Sequence, residues 1–225
     1  AMKGLCGFVF ALLLVGAIPV QAAPIRLEVD ATDIAHRIFH VRETIPLAAG
    51  VKRLVYPKSL PGMHGAANDA SRIAGLTIRV SGKELAWRRT DAWTLELPAS
   101  VTKREVRVEF DLLTPLVAEQ GQVTFSDHIL DLQWGSVLLI PERASAAAVD
   151  AKLELPEGWS LASALEPATR ERNRIAFRRT KVSTLIDSPV MAGDHVQKVE
   201  LSPGSVSLAL FSEAPARLPD EFLAH

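Results

Sequence analysis

Cysteine is almost missing from this chain: Cys6 is the single one in 225 residues. It lies in an apolar leader, so the chain beyond it can form no disulfide, no thiolate metal site and no cysteine nucleophile. Tyrosine is equally scarce, with one residue, and the eight phenylalanines are scattered. Such a chain offers no platform for stacking nucleobases. Neither sign of charge prevails: 25 Lys and Arg face 26 Asp and Glu, for a net charge of −1. That balance excludes a basic field for nucleic acid and an acidic solvating tail. Internal repeats and low-complexity tracts are also lacking.

The familiar signatures of catalysis are missing too. There is no G-x-S-x-G elbow, no glycine-rich phosphate loop and no H-E-x-x-H. His36 and His40 have the i, i+4 spacing of zinc ligands on a helix, but the glutamate is absent and the segment reads as a strand. Four strand residues span about 13 Å, whereas two ligands of one zinc must each sit about 2 Å from it. Asp127, Asp131 and Glu142 lie near Trp134 in sequence and read as strand-edge charges. No catalytic residue and no metal ligand is therefore assigned to this chain, and no cofactor is expected in it.

What is present begins with a targeting segment. Lys3 gives a short positive start, residues 5–15 are almost wholly apolar, and Val20-Gln21-Ala22 ends in the small residue that cleavage requires. A signal peptide is expected over residues 1–22, cut between Ala22 and Ala23. The apolar run, about 15 residues, is short of the roughly 20 that span a bilayer. Export without cysteine points to a bacterial periplasmic or secreted protein, off the membrane after cleavage and held by its core alone. With 48 % hydrophobic residues, that core can be large.

From Pro24 onward a period of two dominates. Ile25-Arg26-Leu27-Glu28-Val29-Asp30 alternates apolar and polar, and Leu76-Thr77-Ile78-Arg79-Val80 does so before the hairpin turn Ser81-Gly82-Lys83. Further extended stretches fall at 34–47, 51–56, 84–90, 93–97, 106–110, 122–125, 129–140, 151–155, 174–178, 196–201 and 206–211. About a dozen strands with regular turn punctuation predict an all-β fold, a β-sandwich or curled pair of antiparallel sheets. Helical pattern appears only at the end, where Pro219, Asp220 and Glu221 suit a first helical turn. A helix that short needs more chain, so the polypeptide is expected to continue past His225. Residues 57–71 form the longest stretch without strand pattern. His64 in that loop and Trp134 are the two candidates for a substrate-facing role, against a default of core packing for tryptophan.

Three segments together resemble one family. Leu54-Val55-Tyr56-Pro57-Lys58-Ser59-Leu60-Pro61-Gly62-Met63-His64-Gly65 is similar to a YPKWxPGxHG loop, with Ser59 where an aromatic is usual. Ala74-Gly75-Leu76, followed by Gly82 and Trp87-Arg88-Arg89, is similar to an AGL…G…WRR stretch. Leu185-Ile186-Asp187-Ser188-Pro189-Val190-Met191-Ala192-Gly193 is similar to LxDSPVxxG. In this order and spacing they resemble the N-terminal β-domain of glycyl-aminopeptidase-like enzymes, exported PDZ-containing zinc peptidases of the thermolysin clan. Read as local structure, Asp187-Ser188-Pro189 initiates a turn and Gly193 lets the chain reverse toward Val196.

The resemblance implies a division of the chain into a signal peptide (1–22), an N-terminal β-domain (23–213) and the start of a linker or helix (214–225) leading to a catalytic domain. It implies that zinc is bound downstream, by a helix bearing H-E-x-x-H, and that this chain is inactive alone. The implied partners are the protein's own catalytic and PDZ domains and, indirectly, a peptide substrate. The alternative is a stand-alone periplasmic β-sandwich with a binding or scaffolding role.

Overall fold

The computed structural model describes residues 23–59, 65, 68, 70–99, 101, 105–115, 124–202, 206–217 and 219. The leader, His64 and the expected terminal helix start at 218–225 (apart from Pro219) lie outside the described residues. In chain order the strands are β1 (Ile25–Asp33), β2 (Ile38–Pro46), β3 (Arg53–Val55), β4 (Ile73–Val80), β5 (Lys83–Glu84), β6 (Arg88–Arg89), β7 (Thr94–Glu96), β8 (Glu105–Leu113), β9 (Thr124–Phe125) and β10 (Ile129–Leu132). They continue with β11 (Ile140–Pro141), β12 (Ala148–Glu154), β13 (Ser160–Ser163), β14 (Pro167–Glu171), β15 (Arg174–Phe177), β16 (Thr180–Lys181), β17 (Val190–Gly193), β18 (Val196–Ser202) and β19 (Val206–Phe211). One short α-helix, α1 (Val182–Ile186), precedes β17. Among the described residues no helix is long and apolar enough to cross a membrane.

The expected all-β, sandwich-like architecture is what the chain adopts. A large sheet runs β14-β15-β12-β1-β2-β8-β4-β5, with β16 also on β12. Its pairs are antiparallel except β1 with β12. Two four-stranded sheets, β13-β17-β10-β9 and β11-β3-β7-β6, and the hairpin β18-β19 complete the fold. Strand β1 shows why the sequence pattern works: Ile25, Leu27 and Val29 are buried while Arg26 and Glu28 face solvent. The pleat sends alternate side chains to opposite faces. The same holds for Val106, Val108, Phe110 and Leu112 on β8. These join Leu54, Phe125, Leu130, Leu132 and Val190 from the smaller sheets in one core. Phe39 of β2 stacks on Phe125 of β9 with ring centroids 5.0 Å apart, and Trp159 meets Phe125 edge-on. Each such side chain stabilises by roughly 1.5–3 kcal/mol on leaving water.

Three expectations need correction. The extended run at 34–47 is broken, because residues 34–37 form the turn between β1 and β2. Asp33 Oδ1 accepts hydrogen bonds from the His36 backbone and ring, and Arg37 takes a left-handed φ of 55°. The run at 129–140 is split by a 3-10 turn at Trp134–Ser136 between β10 and β11. The run at 84–90 divides between β5 and β6, which belong to different sheets. Helix α1 was also not foreseen, because Val-Ser-Thr-Leu-Ile is β-branched and only five residues long. The hairpin turn expected at Ser81-Gly82-Lys83 is two residues long: Ser81 and Gly82 have positive φ, 48° and 79°, the geometry of a type I′ turn, while Lys83 already opens β5.

Candidate functional site

The loop after β3 and the segment after β10 meet over a buried polar cluster. Tyr56 donates its hydroxyl to the Ser136 carbonyl at 2.6 Å. Asn68 donates Nδ2 to the carbonyls of Pro57 (2.9 Å) and Gly135 (3.0 Å), and accepts from the Ser136 hydroxyl. Trp93 donates its indole N–H to the Asn68 carbonyl, and Lys58 Nζ sits 4.6 Å from the centre of the Trp93 ring. The YPK motif is thus an anchor. One amide, Asn68, ties Pro57 to Gly135, which lies 67 residues ahead of Asn68.

Trp134, next to Gly135 in the chain, has no exposed surface and lies edge-on to Phe177, with ring centroids 5.6 Å apart. Its indole nitrogen and the neighbouring Gln133 Oε1 are buried without a hydrogen-bond partner among the described residues. Beside them, burial raises the pKa of Asp131, against the hydrogen bond it accepts from Gln133. In the core proper, Glu43 points inward between Val41 and Ile45 and is 1 % exposed. Both its oxygens accept from Leu139 N–H, at 3.0 and 3.1 Å. Burial pushes its carboxyl well above the ordinary range.

The histidines do not behave as strand residues spaced at a fixed rise. His36 sits in the turn, and Asp33 lies between it and His40, with Oδ1 2.7 Å from His36 Nδ1 and Oδ2 3.6 Å from His40 Nε2. His40 also bonds Asp111 at 2.7 Å, which raises its pKa. Long-range pairing makes a second cluster that no local spacing announces. Residue 129 is the register partner of Gly193, so the bend at Asp127-His128 stands beside the bend at Asp194-His195. His128 Nδ1 is 3.0 Å from Asp194 Oδ2, and the His128 and His195 ring centres are 4.7 Å apart. One donor atom from each of His128, Asp194 and His195 lies within 4.8 Å of the others.

The motif at 185–193 takes its roles from this arrangement. Asp187 ends α1, and the Ser188 hydroxyl donates to the Thr184 carbonyl at 2.8 Å. Gly193 is not the reversing residue that its position before Val196 suggests. It is a strand residue of β17, and a Cβ there would lie 2.5 Å from the His128 carbonyl oxygen.

The fold defines the class: an all-β, sandwich-like domain whose likeness recurs as one part of longer solved chains. It resembles an aminopeptidase N family protein from Idiomarina loihiensis, with a TM-score of 0.71 and 18 % identity. It also resembles an M1 zinc metallopeptidase from Deinococcus radiodurans, solved with a Tyr-Ser-Ala substrate, with a TM-score of 0.51 and 12 % identity. The likeness covers 83 % and 84 % of this chain, but only 32 % and 46 % of those two chains. No curated protein matches the sequence. Residues 26–194 match the peptidase M61 N-terminal domain, and the chain belongs to that family.

Proposed function

We propose that this chain is the non-catalytic N-terminal domain of an exported, zinc-dependent aminopeptidase of the glycyl-aminopeptidase type, which packs on a catalytic domain and walls one side of its substrate cleft. The observation that carries the reading is the family match over residues 26–194. The proposed organisation is a signal peptide at 1–22, the β-domain at 23–213, and a linker from 214 to the catalytic domain and then a PDZ domain. The proposed location is the periplasm or the exterior of a bacterium.

The family's catalytic zinc motif, H-E-x-x-H, is not in this sequence, and the one α-helix among the described residues is five residues long. The peptidase zinc is therefore assigned to the proposed downstream domain. What this chain supplies is surface. On the hairpin beyond the family match, Leu201, Val206 and Leu208 are 58 %, 52 % and 36 % exposed. Val199 and Leu208 are register partners and share one face with Val206. An apolar stripe of that kind suits a covering domain.

The test is to read and express the downstream coding sequence. An H-E-x-x-H within one further domain, on the order of 200 residues, is expected. So is zinc-dependent release of an N-terminal residue from a peptide by the long protein and none by this chain. A downstream sequence without that motif would overturn the reading and leave a stand-alone binding or scaffolding sandwich.

A further inference from the structure

We propose that His128, Asp194 and His195 form a site for a borderline first-row divalent cation, with zinc its natural occupant, that staples the β9–β10 turn to the start of the β18–β19 hairpin. The site is separate from the peptidase reading and needs no downstream domain.

Geometry carries the argument. A tetrahedral zinc with bonds of about 2.0–2.1 Å sets its ligand atoms about 3.3 Å apart. Here His128 Nδ1 is 3.2 Å from Asp194 Oδ1, and His195 Nδ1 is 3.5 Å from the same oxygen. Two edges of the tetrahedral face are therefore already at the required length. Asp194 is the shared corner. The fourth position is left to water, as in sites with three protein ligands.

A second observation is independent of that spacing. His195 Nδ1 is buried and has no hydrogen-bond partner among the described residues. It lies 3.5 Å from Asp194 Oδ1, beyond ordinary hydrogen-bond length. Buried polar atoms are nearly always satisfied, so an orphaned imidazole nitrogen next to a carboxylate and a second imidazole asks for a cation among the three. The His128 and His195 rings lie side by side, tilted by 31° with centroids 4.7 Å apart, so both imidazoles border the same space.

The scaffold is rigid where a site needs it to be. His128 sits in a turn whose ends are tied by Ser126 N to the Ile129 carbonyl (2.8 Å). The Ser126 hydroxyl accepts from the backbone of His128 and Ile129. Asp194 and His195 follow Gly193, the residue that lets the two backbones close, and His195 is held from the other side by Ser212 N on its carbonyl at 3.1 Å. The carboxylates of Asp127 and Glu213 add negative potential around His128. The side chains of His128, Asp194 and His195 keep 40 %, 37 % and 25 % of their surface exposed, so a cation can enter without the fold opening. Two nitrogens and one oxygen favour zinc, and its neighbours cobalt, nickel and copper, over calcium or magnesium, which take oxygen sets.

The experiment uses the untagged full chain, stripped with a chelator and titrated with cobalt chloride and then zinc chloride. One saturable equivalent with the visible spectrum of four-coordinate cobalt is expected, displaced by zinc and accompanied by a rise in Tm. His128→Gln and His195→Gln should each weaken that equivalent by at least about 100-fold, with the far-ultraviolet dichroism unchanged. His36→Gln with His40→Gln should leave it intact. The readout is the loss of one equivalent, so metal held elsewhere does not count. If either variant misfolds, imidazole resonances of the unsubstituted chain decide: zinc should move those of His128 and His195. No saturable binding, an equivalent that survives both substitutions, or zinc-induced shifts confined to His36 and His40 would overturn the proposal.

Discussion

At Glu43 a single side chain links pH to stability. The carboxyl lies among Phe39, Val41 and Ile45 on the inward face of β2; among the described residues no cation balances it and one N–H, from Leu139, bonds it. Burial raises its folded pKa, so the native state holds a proton that the unfolded chain releases near pH 4.3. Between those two values the native state binds more protons, and stability falls as pH rises, by about 1.4 kcal/mol per pH unit. Below the unfolded value the effect vanishes. Glu43→Gln keeps an acceptor for Leu139 and removes the charge. It should stabilise the chain at neutral pH and flatten this component of the pH profile. Urea midpoints for both proteins across a pH series check it; parallel profiles would show that Glu43 is not held protonated. Asn68 is the other residue whose loss should be felt widely. Asn68→Ala removes the donor to the Pro57 and Gly135 carbonyls and the acceptor for Ser136. A cost of about 2–3 kcal/mol is expected from these buried groups, read as a lowered urea midpoint, with Trp93 fluorescence reporting release of the loop.

Elements meet where backbones can close, and Gly193 is the clearest case. A Cβ at 2.5 Å from the His128 carbonyl forces β10 and β17 apart, so Gly193→Ala should destabilise by about 1–3 kcal/mol. It should also abolish cobalt binding at His128, Asp194 and His195 under conditions where the chain is still folded. Thermal melts and the cobalt titration together check this. The same position shows how far the sequence could be read. Alternation in residues 25–30 and the Ser81-Gly82 turn were legible because both are local: pleat and positive φ act within a few residues. The break at Trp134–Ser136 was not, since apolar residues on both sides of Gly135-Ser136 carry the strand pattern through a turn whose residues are all buried. The turn at 34–37 was hidden because Asp33, a side chain, makes it. The His128 cluster was illegible for a stronger reason. Its members are 66 residues apart and are joined by the register of Ile129 with Gly193, a property of the sheet that no spacing in the chain encodes.

At the scale of the whole molecule the asymmetry lies in the last hairpin. The large sheet and the two smaller ones enclose a single core, whereas β18 and β19 pair with each other and carry apolar side chains toward solvent. A surface of that kind is either covered by a partner or further domain or a liability to the protein that carries it. The two cases separate on one pair of substitutions. Leu201→Lys and Leu208→Lys change side chains that are 58 % and 36 % exposed on the hairpin and outside the core, so the Tm of this chain should change little, by about 1 kcal/mol of equivalent stability at most, while its binding of a hydrophobic dye falls. In a protein that continues into a catalytic domain the same substitutions place two charges in an interface between domains. The unfolding transition should then split in two, and peptidase activity should drop although every zinc ligand is untouched. A single unsplit transition with full activity would mean that the hairpin faces solvent there too, and that the domains are joined across another face of the sandwich.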